Sequence, residues 1–109
     1  MDEKIQEKAY EAIEIAKKSG KLRKGTNEVT KAVEKGLAKL VVYAKDVNPA
    51  EITMHMKPLC KEKGVPCIEV PSREELGAAA GIKLSTSAVA IVQEGEAKKL
   101  IKELSEIKE

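Results

Sequence analysis

The stretch Lys24-Gly25-Thr26-Asn27-Glu28-Val29-Thr30-Lys31 joins a basic segment to the predicted start of a helix. Thr26 or Asn27 can cap that helix, because short polar side chains accept hydrogen bonds from its first free amides. Asn27, Glu28 and Lys31 then lie around the first turn, since residues three and four apart share a helix face. The free amides and the dipole at this end favour anions. The stretch therefore predicts either a helix end that reads a base edge or an ordinary capped helix with a solvated face.

Helical and strand patterns alternate around this stretch. Upstream, apolar residues at helical spacing end at Gly20, and Lys21–Lys24 is a short predicted strand. The next helix is predicted over Thr26–Lys35 and ends at the following glycine. The apolar run Leu40–Ala44 then has the composition of a buried strand.

The middle of the chain predicts an interrupted helix. Asn48-Pro49 supplies an N-cap and a first helical residue, and Glu51 adds negative charge near that end. A proline inside a helix removes a backbone hydrogen bond and restricts the residue before it. Pro58 therefore predicts a break near Met56-Lys57, followed by a second helical segment that ends at Gly64.

The last part of the chain contains two further strands and two further helices. Val65–Val70 is a predicted strand, and Ser72-Arg73-Glu74-Glu75 is a capping box that opens a short helix closing at Gly81. A loop over Ile82–Ser87, with two aliphatic side chains expected at the surface, leads into a strand over Ala88–Val92. The final helix is predicted from apolar residues at amphipathic spacing, which are Ala97, Leu100, Ile101, Leu104 and Ile107.

Length and composition predict a single soluble domain over residues 1–109. A chain of 109 residues can build one core, and the alternation of elements makes the fold α/β, with helices on both faces of one sheet. Hydrophobic residues at 42% and charged residues at 35% are typical of a compact soluble protein. No apolar run is long enough for a membrane span, and the N-terminus does not read as a signal peptide. We therefore expect a cytoplasmic protein that has no membrane partner.

The charge is unevenly distributed. The formal net charge is +2, yet residues 17–39 contain eight lysines and arginines against two glutamates, which leaves +6 in that segment. Such a basic segment favours a polyanion partner, although a solvated lysine-rich surface has the same composition. Aromatic residues are only 2%, with Tyr10 and Tyr43 both expected to be packed. Base stacking on aromatic side chains is thus not available, and nucleic acid would have to be bound by helix-end polar groups, cations and aliphatic contacts.

The sequence offers no recognisable catalytic, metal or cofactor site. Cys60 and Cys67 have neither redox nor zinc spacing and are expected to be buried free thiols. His55 is the single histidine, and no nucleophile, base and orienting group assemble around it. The glycines do not form a phosphate-binding loop. We therefore expect a non-enzymatic protein; a small enzyme would need a second catalytic group near His55 or Cys60.

A longer motif resembles a known family. Gly25–Gly36, followed by Ala38–Ala44, closely resembles the archaeal ribosomal protein L7Ae family, which binds kink-turn RNA. The resemblance covers about residues 20 to 96 without a gap. It continues through Asp46-Val47, Pro49, Glu51-Ile52, His55, Leu59-Cys60, Gly64-Val65-Pro66, Val70, Ser72, Leu76-Gly77, Ala80-Gly81 and Ala90–Gly95.

This resemblance implies a fold and a set of partners. The fold would be a three-layer α/β/α sandwich around a four-stranded mixed sheet. The function would be that of a scaffold, monomeric when free, that clamps kink-turns in ribosomal RNA, box C/D and H/ACA guide RNAs and ribonuclease P RNA. Other guide-particle or ribosomal proteins would assemble with it.

The resemblance also implies which residues contact the RNA. Asn27, Glu28 and Lys31 would enter the groove at the tandem sheared G·A pairs. The chemistry agrees, because a carboxylate can accept from guanine N1 and N2 while an ammonium donates to O6 and N7. Ordinary A-form RNA hides its major groove, so a kink that opens the groove would be selected by shape as well.

The remaining implied contacts surround these three. Gly25 and Thr26 would bring the protein backbone close to the RNA, and Lys24 and Lys35 would face phosphates. The loop Ile82-Lys83-Leu84 would cover the flipped-out nucleotide of the bulge.

Several positions depart from the family pattern. Lys45 and Asn48 stand where acidic residues are usual, and Cys67 replaces an aromatic residue. The loop after Leu84 lacks a proline that is common there. A structural or protein-interaction paralogue without kink-turn binding is the alternative function, and the presence of the Asn-Glu-Lys set argues against it.

Overall fold

The computed structural model describes residues 3–47 and 54–106, and the predicted order of elements is confirmed within those ranges. Helix α1 spans Glu3–Ser19, strand β1 Lys21–Lys24, helix α2 Thr26–Glu34 and strand β2 Leu40–Ala44. Helix α3 spans Met56–Lys63, strand β3 Cys67–Val70, helix α4 Arg73–Ala79 and strand β4 Ala88–Gln93. A 3-10 turn over Gly95–Ala97 leads into helix α5, Lys98–Ser105.

The four strands form one mixed sheet in the order β1-β4-β2-β3. Strand β4 runs antiparallel to both of its neighbours, pairing Lys24 with Val89 on one side and Tyr43 with Ala88 on the other. Strands β2 and β3 are parallel, with Val41 opposite Cys67. The mixed four-stranded sheet is therefore confirmed.

Alternating side chains of the sheet supply two separate cores, as expected for a strand pattern of period two. Val42 and Val89 point into a cluster covered by α1, α4 and α5. Val41 and Ala90 point to the opposite face, into a cluster covered by α2 and α3. The three-layer α/β/α sandwich is thus confirmed.

Helix α1 packs through small residues. Ala9, Ala12, Ile13 and Ala16 are completely buried, as their helical spacing predicts. Three alanines on this face let the helix backbone lie close to the sheet. Within the described ranges no helix is long and apolar enough to cross a membrane.

Of the predicted interrupted helix, the second segment lies within the described residues. Helix α3 begins at Met56, so Pro58 falls in its first turn, where a missing amide costs no intrahelical hydrogen bond. Gly64 ends the helix with a left-handed φ of 71°. The predicted start at Asn48-Pro49, with Glu51, lies outside the described residues, as does Ile107 of the last helix.

The predicted strand over Val65–Val70 begins two residues late, at Cys67. The amide of Val65 donates to the carbonyl of Cys60 at 2.8 Å, so this residue completes the end of α3 instead of extending the strand. The carbonyl of Pro66 accepts from the amide of Val41 at 2.9 Å and starts the parallel ladder.

The two cysteines are free thiols that lie next to each other. Cys60 is buried, as expected, whereas Cys67 is only half-buried because its strand lies at the edge of the sheet. A hydrogen bond from the Cys67 thiol lowers the pKa of Cys60, against the opposing effect of burial.

Both tyrosines are packed, as predicted. Tyr43 is buried in the core under α2 and α3, and Tyr10 lies partly buried against the other core. The Tyr10 hydroxyl is buried beside the Glu75 carboxylate without a well-formed hydrogen bond in the described structure. Burial, followed by the negative charge of Glu75, raises the pKa of Tyr10 to about 12.

This pKa predicts a loss of stability at high pH. In the unfolded chain the phenol loses its proton near its ordinary pKa of 10.0, whereas in the folded protein its pKa is about 12. Between those values the unfolded state binds fewer protons, so the free energy of unfolding should decrease as pH rises. Urea denaturation of the protein and of Tyr10→Phe between pH 9 and 12 measures the effect. Changes common to the two proteins cancel in the difference between them, so equal slopes would contradict the prediction.

Candidate nucleic-acid interface

Helix α2 begins directly after Gly25, whose backbone adopts a conformation that favours glycine. Gly25 is the N-cap, with φ 92° and ψ 150°, a region that residues with a Cβ rarely occupy. No side chain caps the helix, so the prediction that Thr26 or Asn27 does so is wrong. Thr26 is instead the first helical residue, because the unusual turn at Gly25 brings the chain into the helix one residue early. The first amides of α2 therefore have no side-chain acceptor.

Two contacts fasten this helix start to the loop that precedes β4. The Thr26 hydroxyl lies 2.5 Å from the Ser87 hydroxyl, although the two residues are 61 positions apart. The Gly25 amide donates to the carbonyl of Ala88 at 2.8 Å. The structure thus brings together the predicted helix end and the predicted loop, and Ser87 joins them in a contact that the sequence did not reveal.

The three predicted reading residues lie on the outer side of α2. Asn27, Glu28 and Lys31 are exposed, while Val29 is completely buried. The Glu28 carboxylate lies 3.8 Å from the Lys31 ammonium, with side-chain exposures of 56% and 65%. An exposed pair of this kind contributes little to stability, so both groups are available to a ligand that offers donors and acceptors together.

The two predicted phosphate contacts flank the reading residues on opposite sides. Lys35 follows α2, one helical turn beyond Lys31, and is exposed. Lys24 ends β1, opposite Val89, whose side chain belongs to the core under α1. One cation therefore extends the α2 side of the interface and the other the α1 side.

The predicted loop is only partly as expected. Leu84 is 77% exposed, but Ile82 is half-buried and packs against the core under α1. Of the two aliphatic side chains expected at the surface, one is thus an anchor for the loop. Lys83 and Leu84, together with Ser85 and Glu74, line a cleft of about 360 Å³.

Helix α4 holds this loop in place. The Ile82 amide donates to the Gly77 carbonyl at 2.9 Å, and the Thr86 amide donates to the Arg73 carbonyl at 3.1 Å. A Cβ at Gly77 would collide with the carbonyl oxygen of Leu84, so glycine is required for this close approach. Gly77 and Arg73 are positioning residues that sequence reasoning did not assign, because a glycine within a helix gives no sign of which distant backbone it contacts.

A larger groove lies at β2, β3 and α3. It has a volume of about 810 Å³ and is lined by Tyr43, Lys45, Met54, Lys57, Pro58, Lys61 and Glu69. None of the ten predicted contact residues lines it. Lys45, which departs from the family pattern, therefore faces this groove.

The single histidine of the sequence contacts a side chain of α2. His55 is exposed, and its Nε2 lies 3.0 Å from the Thr30 hydroxyl. In residues 3–47 and 54–106, no three His, Cys, Asp or Glu side chains come together in a way that could hold a metal ion.

Residues 7–101 match the model of the ribosomal protein L7Ae/L30e/S12e/Gadd45 family. The chain belongs to this family. This L7Ae-type family is broader than the archaeal ribosomal proteins whose motif the sequence resembles. Among solved structures, the chain is similar to the Giardia lamblia 15.5kD RNA binding protein, with a TM-score of 0.90 and 27% sequence identity. The match covers 96% of this chain and 88% of that one.

The contact at Gly77 predicts how this L7Ae-type fold tolerates substitution. Gly77→Ala adds a Cβ against the Leu84 carbonyl, which should cost about 1–3 kcal/mol by overpacking. The higher helix propensity of alanine adds only about 1 kcal/mol of stability, so the net effect should be a lower free energy of unfolding.

Denaturation in urea measures this, and Ala78→Gly at the neighbouring exposed position isolates propensity, with an expected loss of about 1 kcal/mol. A Gly77→Ala protein that is more stable than the unaltered chain would show that the loop is not held at this position.

Proposed function

We propose that this protein is a non-catalytic RNA-binding scaffold that recognises and stabilises kink-turns, with tandem sheared G·A pairs and a flipped-out bulge nucleotide. The observation that carries the proposal is the exposed set of Asn27, Glu28 and Lys31 at an uncapped helix end, fastened to the loop of Leu84. Family membership and the similarity to an RNA-binding protein of the same fold support it.

Glu28 and Lys31 are suited to guanine. Their charged groups are 3.8 Å apart, so they present an acceptor and a donor side by side. Guanine carries donors at N1 and N2 and acceptors at O6 and N7, which these two groups complement. A carboxylate near phosphates is otherwise unfavourable, and Glu28 is therefore better explained as a base reader than as a generic surface group. Asn27, exposed beside them, adds an amide that can both donate and accept.

The loop supplies the second part of the recognition. Leu84 is exposed next to the cleft of about 360 Å³, and an apolar side chain there can cover an extruded base. Lys83 lines the same cleft and would neutralise a phosphate of that nucleotide. Ile82 would contribute through its partly exposed surface while it anchors the loop.

The surrounding groups would hold the RNA backbone. Gly25 and Thr26 present an open backbone, since nothing lies within 4 Å of the point where a Cβ of Gly25 would be. Lys24 and Lys35 extend the site on either side and would contact phosphates, which fix register without reading sequence.

The partners of such a scaffold would be ribosomal RNA, box C/D and H/ACA guide RNAs and ribonuclease P RNA, together with other proteins of those particles. We propose a cytoplasmic protein that is monomeric when free. A paralogue that keeps the fold without binding kink-turns is the alternative, and the two experiments below distinguish it.

Glu28→Gln tests the reading of guanine. The amide keeps the size of the side chain but places a donor against the guanine donors. Discrimination between a kink-turn RNA and the same RNA with its G·A pairs replaced should fall by about 1–3 kcal/mol in a binding titration.

The matched control is Glu34→Gln, which removes the same charge from the last residue of α2 and should leave discrimination unchanged. Loss of a negative charge alone strengthens attraction to RNA, so weaker binding by Glu28→Gln cannot come from bulk electrostatics. Equal discrimination by both variants would show that Glu28 does not read guanine. No preference of the unaltered protein for the kink-turn would support the paralogue instead.

Leu84→Asp tests the loop. With 77% of its surface exposed, Leu84 contributes little to the core, so the free energy of unfolding should change by less than about 0.5 kcal/mol. Binding to the kink-turn should weaken by about 1 kcal/mol or more, since an apolar contact is lost and a negative charge is added near phosphates.

Leu37→Asp adds the same charge at another exposed leucine, 48% exposed beyond the far end of α2. It should weaken binding distinctly less than Leu84→Asp. Equal weakening by the two variants would mean that the loop makes no specific contact.

A further inference from the structure

Lys17, in the last turn of α1, lies against Gly81, the residue that precedes the loop of Ile82, Lys83 and Leu84. A Cβ at Gly81 would be 2.8 Å from Cδ of Lys17 and 3.4 Å from its Nζ. Gly81 has φ 79°, and its missing side chain leaves the space that the lysine occupies. The Lys17 ammonium is therefore beside the segment that continues into Ile82, Lys83 and Leu84.

This ammonium has no partner among the residues that the structure describes. Lys17 is exposed, and no hydrogen bond or ion pair joins it to another residue in the ranges 3–47 and 54–106. Its long apolar stem packs at the Gly81 backbone while the charged end stays in water. A cation held in this way loses little additional freedom when an anion binds to it.

Lys17 and the residues of α2 lie on helices that cover opposite faces of the sheet. Helix α2 covers one face of the sheet, whereas α1 covers the other. Lys17 beside Gly81 and Lys83 in the loop therefore offer two cations to a phosphate of a nucleotide that lies over Leu84.

We propose that Lys17 is a further RNA contact, which binds a backbone phosphate next to the bulged nucleotide. The inference rests on the proposed function and adds a second helical layer to the interface. It assigns a phosphate contact to α1, a helix that carries none of the predicted site residues.

Three variants test this contact by titration with kink-turn RNA over a series of salt concentrations. Lys17→Met keeps the apolar stem and removes the charge, Lys17→Arg keeps the charge, and Lys18→Met removes the neighbouring charge, which points about 100° away around the helix. We expect Lys17→Met to bind about two- to fivefold more weakly and to reduce the log–log salt slope by about 0.7 to 0.9. Lys17→Arg and Lys18→Met should stay close to the unaltered protein, and all variants should melt at the same temperature.

The outcomes separate this inference from the function on which it rests. If Lys17→Met binds like the unaltered protein while Glu28→Gln loses discrimination, Lys17 is not a contact but the scaffold function stands. Equal losses in Lys17→Met and Lys18→Met would mean a general charge effect and would also overturn the contact. If the unaltered protein does not prefer the kink-turn, both proposals fail.

Discussion

The antiparallel position of β4 between β1 and β2 is the constraint on which the interface depends. Because β1 ends where β4 begins, the Gly25 amide meets the carbonyl of Ala88 and the helix start comes to lie beside the preceding loop. The Thr26–Ser87 contact is a consequence of the same pairing. Two segments that carry different chemistry, exposed polar side chains on α2 and an exposed aliphatic residue in the loop, are thereby presented at one end of the sheet.

The rigidity of this arrangement comes from close backbone packing. Gly77 allows the Leu84 carbonyl to approach α4, and Ile82 fixes the start of the loop in the core. The N-terminus of α4 is in turn fixed by Asp46, which accepts a hydrogen bond from the Arg73 amide at 2.9 Å. An exposed residue such as Leu84 can be held in one place only when its neighbours are buried or hydrogen-bonded, and here both conditions are met.

The distribution of charge fits a polyanion without an extreme net charge. The local excess of +6 in residues 17–39 lies on the end of α1, on β1, on α2 and on the connection after α2, whereas the whole chain has only +2. Glu28 is an exception within this basic region, and its exposed pairing with Lys31 does not explain it, since pairs of this kind contribute little stability. Under the proposed function, its position is explained by an RNA that offers hydrogen-bond donors.

Local sequence patterns are sufficient to predict the order and type of the elements and the outward side of α2. Apolar periodicity and glycine stops act over a few residues, so local patterns predict α1, β2 and α5. The spacing of Ser72 and Glu75 likewise predicts the hydrogen bond that the Glu75 amide donates to the Ser72 hydroxyl. The spacing of Val29 against Asn27, Glu28 and Lys31 predicts which side of the helix faces the core.

Which distant segments meet is set by the tertiary structure and not by local patterns. The uncapped start of α2 depends on the φ of Gly25, and the contacts Thr26–Ser87, Gly77–Leu84 and Lys17–Gly81 join residues whose separation along the chain leaves no local pattern. The half-burial of Ile82 likewise follows from packing against the core under α1, because an aliphatic residue in a loop can equally face the core or the solvent until its neighbours are in place.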